Sequence, residues 1–74
     1  MSKIIIDRSK NKGKSILSVG KLLRSIDYFK SIDEVYQFLQ KYLEDEKVTI
    51  QLNSENRETI IDFITDLEFN YIIE

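Results

Sequence analysis

The 74-residue chain contains no cysteine, histidine, proline, tryptophan or alanine, and only two glycines. Without cysteine there is no disulfide framework, no thiolate nucleophile and no sulfur-ligated metal. Without histidine the commonest general base and the commonest zinc ligand are missing together. No apolar run approaches the ~20 residues of a membrane span. The apolar run within Met1–Asp7 is too short for a signal peptide. A cytoplasmic protein without cofactor or metal is therefore expected. The missing residue types, together with isoleucine as the commonest residue, fit an AT-rich genome. An accessory protein of a phage or mobile element is one home for such a chain.

What is present describes one soluble domain, residues 1–74. Hydrophobic residues make up 42% of the chain and charged residues 32%, the balance of a folded domain. At this length folding buries only about 60% of the surface that the unfolded chain exposes, so a single small core is expected. The net charge is −2, but its distribution is uneven. Residues 1–30 carry eight Lys and Arg against Asp7 and Asp27, whereas residues 31–74 carry three against eleven Asp and Glu. Such asymmetry points either to charged partners or to attraction between the two halves within the fold.

Residues 32–44 show the clearest periodicity. Ile32, Val35, Leu39 and Tyr42 share one helical stripe, with Tyr36 and Leu43 beside it. Ser31 and Glu34 form a capping-box pair, in which the carboxylate is expected to return to the Ser31 N–H. Glu44-Asp45-Glu46 opposes the helix dipole and marks the end. Residues 47–52 alternate apolar and polar with β-branched residues, as a half-buried strand does. Asn53 or Ser54 is then expected to cap a helix over roughly 55–67, with Ile60, Phe63, Ile64 and Leu67 inward, followed by a strand over 69–73. Ile4-Ile5-Ile6 reads as a buried central strand. Residues 15–26 favour a helix through Ile16, Val19, Leu23 and Ile26, although Gly20 costs it roughly 1 kcal/mol relative to alanine. A hairpin turning at 11–13 competes. The expected fold is α/β or α+β, three or four strands with helices packed on them, in the order β-(α or β)-α-β-α-β.

"IIIDRSKNKGKSIL", residues 4–17, has the order of a nucleotide-binding loop: strand, Gly-Lys-Ser, helix. A full motif requires glycine where Arg8 stands, because backbone N–H groups must wrap phosphates with no Cβ in the way. A carboxylate for Mg²⁺ is also needed on a second strand, and residues 48–52 hold none. Nucleotide hydrolysis is not expected. A simpler anion or nucleic-acid site could still use Arg8, Lys10, Lys12, Lys14 and Ser15 at a helix start.

The element order also resembles the small sulfur-carrier proteins of tRNA thiolation, with Asp7 at the end of the first strand. Their chemistry rests on Cys-Pro-x-Pro at the first helix, and Gly13-Lys14-Ser15-Ile16 has neither residue. The helix at 32–44 is foreign to them, so this resemblance is one of outline and transfers no activity.

Glu55, Glu58, Asp62 and Asp66 recur at spacings of three and four along one helix face. With no metal or pocket signature around them they suit a solvated face, or one that imitates a phosphate backbone before a basic partner. Phe38 lies opposite Tyr36 and would be an anchor if exposed, or would contact the N-terminal segment if buried. The sequence thus points to a non-enzymatic protein-binding module, regulatory or inhibitory, whose acidic face meets a protein with a basic surface. Nucleic-acid or phosphate binding through the basic loop is the alternative.

Overall fold

A computed structural model describes residues 2–74. The order is β1 (Lys3–Asp7), a 3₁₀ turn (Arg8–Lys10), α1 (Leu17–Ser25), α2 (Ile32–Glu44), β2 (Lys47–Gln51), α3 (Arg57–Asp66) and β3 (Ile72–Ile73). The class is α+β, with a three-stranded antiparallel sheet in the order β2-β1-β3. Because β1 runs against both neighbours, β2 and β3 point the same way without touching. No helix among the described residues is long and apolar enough to cross a membrane.

The register pairs Ile4 with Ile50 and Ile6 with Val48. This puts all four on one sheet face, where they form a single core with Val19 and Leu23 of α1, Phe38 and Tyr42 of α2, and Ile60 and Ile64 of α3. The sheet is covered on that face. On the opposite face Ile5 is half-buried, while Thr49 and Ile72 are exposed. The three-isoleucine run is therefore a central strand, but not one buried on both sides.

Residues 17–25 are helical, not a hairpin. Gly20, which weakens α1 locally, is what lets α2 approach. A Cβ there would stand 3.1 Å from Val35 Cγ1 and 3.6 Å from Phe38 Cδ2. With α2 so close, its inward face becomes Val35, Phe38 and Tyr42. This corrects the expected stripe: Ile32, Tyr36 and Leu43 face outward, and Phe38 packs inward against Phe29, ring centroids 5.2 Å apart.

The capping box is half realised. Ser31 Oγ accepts from the Glu34 N–H (3.4 Å), but the Glu34 carboxylate accepts from the Lys30 N–H (3.2 Å), not from Ser31. Ser31 is extended (φ −147°, ψ 163°), so successive N–H groups point to opposite sides and only one meets the carboxylate. Ahead of α3, Asn53 Oδ1 accepts from the Glu55 and Asn56 N–H groups (both 2.9 Å), capping a turn that leads into the helix.

All three helices end on an acidic residue in the left-handed region: Asp27 (φ 64°), Glu46 (φ 64°) and Glu68 (φ 61°). After α1 the Tyr28 N–H reaches Leu23 O and the Asp27 N–H reaches Arg24 O. After α3 the Phe69 N–H reaches Ile64 O and the Glu68 N–H reaches Thr65 O. These are Schellman closures, in which glycine normally occupies the left-handed position. The second closure also corrects the last strand. Phe69 turns back into the core, and pairing with β1 begins only at Ile72.

Candidate functional site

The loop after β1 binds the fold together. Asp7 accepts from both the Ser9 N–H (2.9 Å) and the Ser9 hydroxyl (2.7 Å), which holds its carboxyl below the usual range. Asn11, 3% exposed, donates to Asp7 O (2.8 Å) and Asn70 O (3.0 Å) and accepts from the Asn70 N–H (2.7 Å). Gly13 supplies a positive φ of 79°. Lys14 Nζ donates to Leu67 O (2.9 Å) at the end of α3 and lies 5.6 Å from the centre of the Phe69 ring. Arg8 Nη1 donates to Leu43 O (3.1 Å) at the end of α2. Ser15 Oγ accepts from the Leu17 N–H (3.2 Å) at the start of α1.

Three of the five residues considered for an anion site, Arg8, Lys14 and Ser15, thus satisfy helix ends, where orphan carbonyls and N–H groups need partners. Lys10 and Lys12 are exposed. The adjoining hollow of about 280 Å³ is lined by Arg8, Lys12 and Lys14 but also by Glu46, whose carboxylate opposes a bound anion. Asn11 carried no periodic or motif signal, since its main partner lies 59 residues away.

Only one ion pair forms among the described residues, Lys3 to Glu74 at 3.9 Å. Apart from this pair, the hydrogen bonds of the basic loop's cationic side chains with the C-terminal half go to helix-end carbonyls, Arg8 to Leu43 O and Lys14 to Leu67 O. On α3 and its approach, Glu55, Glu58, Asp62 and Asp66 are all exposed.

A second surface was not legible in the sequence as a site. On α2, Ile32, Tyr36, Leu39 and Leu43 recur at i, i+4, i+7 and i+11. Leu39 is half-buried; Ile32 (48%), Tyr36 (61%) and Leu43 (60%) are exposed. With the buried stripe they make roughly 160° of the helix apolar at about 100° per residue, against the ~100° a core needs. Leu17 of α1, 39% exposed, joins two adjoining cavities along this face. One, about 490 Å³, is bounded by Leu39 and Leu43; the other, about 370 Å³, by Ile32 and Tyr36. The first also touches Tyr42, whose buried hydroxyl has no hydrogen-bond partner and whose pKa burial pushes up.

Comparison with protein-family models, curated proteins and solved structures finds no match.

Proposed function

We propose that the chain is a non-enzymatic protein-binding module, regulatory or inhibitory, and that it binds through the α1–α2 face. The observation that carries this reading is the second apolar stripe on α2. The core is complete without Ile32, Tyr36 and Leu43, so their exposure lowers solubility with no return in stability. An exposed contiguous apolar patch bordered by polar residues is the ordinary signature of a docking surface. Catalysis is not proposed, because the groups that gave the loop its nucleotide-like order hold helix ends.

A second reading keeps the acidic face of α3. Among the described residues Glu58, Asp62 and Asp66 form no ion pair, and the helix turns Ile60 and Ile64 inward, which suits them to a protein with a basic surface. Nucleic-acid binding through Lys10 and Lys12 ranks third.

Immobilised wild-type protein, Tyr36→Ser/Leu43→Ser and Asp62→Lys/Asp66→Lys should be exposed to the same host extract and the retained proteins quantified by mass spectrometry. Loss confined to the first variant supports the α1–α2 face. Loss confined to the second moves the site to α3. Identical retention by all three ends the protein-binding reading.

A further inference from the structure

We infer that the α1–α2 groove receives an acidic amphipathic helix from a partner protein. This rests on the protein-binding reading above and adds the chemistry of the occupant.

The first argument is shape. The four α2 residues Ile32 to Leu43 run about 16 Å along one line at 1.5 Å per residue. Leu17 links the two cavities into one trough. A straight trough with anchors at helical spacing is matched by a helix presenting i, i+4, i+7 and i+11 side chains. An added strand would instead need an open sheet edge, and the trough runs along α2 beside α1 and the loop that precedes it.

The second argument is charge. Arg8 and Lys14 line one cavity, Lys21 and Arg24 the other, and no carboxylate lines either. Four cations thus gather on a protein of net charge −2. Among the described residues none of the four is in an ion pair. Arg8 and Lys14 each donate one side-chain hydrogen bond, and guanidinium and ammonium groups have further donors to give. Lys21 and Arg24 follow Leu17 at i+4 and i+7 on α1, so the cations border the apolar stripe along its α1 side. The complementary helix carries its carboxylates on the flank that faces α1.

The same charges disfavour other occupants. A second copy docked with its α1 rim against this one would bring like charges together. The chain's own acidic helix, α3, commits Ile60 and Ile64 to its core and has no such stripe to offer. A flat anionic bilayer would leave a concave trough unfilled.

A displayed peptide library tests the inference directly. Leucines are held at i, i+4, i+7 and i+11 of a helical scaffold, and the flanking positions vary among Glu, Lys, Gln and Ser. Selection on the intact protein should enrich Glu along one flank. The selected peptides, measured by fluorescence anisotropy, should lose at least about tenfold in affinity for Lys21→Glu/Arg24→Glu and for Tyr36→Ser/Leu43→Ser. Thermal melts confirm that these exposed-site variants still fold. Lys-rich or charge-indifferent winners that still need Tyr36 and Leu43 would overturn the acidic occupant and leave protein binding at this face intact. Winners indifferent to Tyr36 and Leu43, or no winners, would overturn both. Co-sedimentation with phosphatidylcholine–phosphatidylserine vesicles, lost in Tyr36→Ser/Leu43→Ser, would assign the face to membranes instead.

Discussion

The Asn11 side chain holds the Asn70 backbone at both its N–H and its carbonyl. Asn11 accepts from the Asn70 N–H and donates to its carbonyl, while Asn70 Nδ2 donates to Lys10 O at 2.8 Å. The first two bonds are part-buried and the third is exposed, so the two side chains should differ in cost. Asn11→Ala strands a part-buried N–H and two carbonyls and should destabilise by about 2–3 kcal/mol. Asn70→Ala keeps its backbone bonds and should cost about 1 kcal/mol or less. Urea denaturation of both variants checks the ranking; equal costs would show that the clamp is not centred on Asn11.

Lys14 and Lys12 stand two residues apart in the same loop with different surroundings. Lys14→Met removes a cation from the end of α3 and from the Phe69 ring, at a cost of about 0.5–1 kcal/mol. Lys12→Met should change stability by about 0.5 kcal/mol or less. If the loop serves nucleic acid instead, Lys10→Glu/Lys12→Glu should abolish a salt-sensitive gel shift with random DNA or RNA that wild type shows.

Glu46 and Glu68 occupy left-handed backbone at helix C-termini, where their charge also opposes the dipole. Glycine at either position relieves both effects but loosens the unfolded chain. The net gain should be about 0.5–1 kcal/mol each, seen as a higher melting temperature. Asp27→Gly should gain less, because aspartate tolerates this conformation better.

Tyr42 buries a hydroxyl with no partner. Tyr42→Phe should therefore hold stability or raise it by about 1 kcal/mol. The folded pKa is raised, so the unfolded chain releases this proton first. Stability is unaffected by the group below about pH 10 and falls as pH rises beyond that. Chemical denaturation of wild type and Tyr42→Phe at pH 7 and pH 10.5 should show the variant's advantage growing at the higher pH.

Ile50 and Ile64 are fully buried on β2 and α3, while Gln51 between them in pattern is exposed. Alanine at either isoleucine should cost about 2–5 kcal/mol, and Gln51→Ala about 0.5 kcal/mol or less. Similar costs at all three would reverse the facing of β2.

Local pattern alone determined the helix at 32–44, the alternation of β2, and the inward side of α3 at Ile60 and Ile64, because each is set by residues within one or two turns of one another, whereas over residues 15–26 it left helix and hairpin both open. Tertiary structure decided what local pattern left equal. On α2 two apolar stripes compete, and the close approach of Gly20 selects Val35, Phe38 and Tyr42 for the core and leaves Tyr36 and Leu43 outside. In the loop, Gly-Lys-Ser has the order of a phosphate cradle until α2 and α3 bring their terminal carbonyls to Arg8 and Lys14. Asn11 is an ordinary loop asparagine until Asn70 arrives from the far end of the chain. Hydrophobic period is a property of neighbours in sequence, whereas the partner of a buried amide or a helix-end carbonyl is a neighbour only in space.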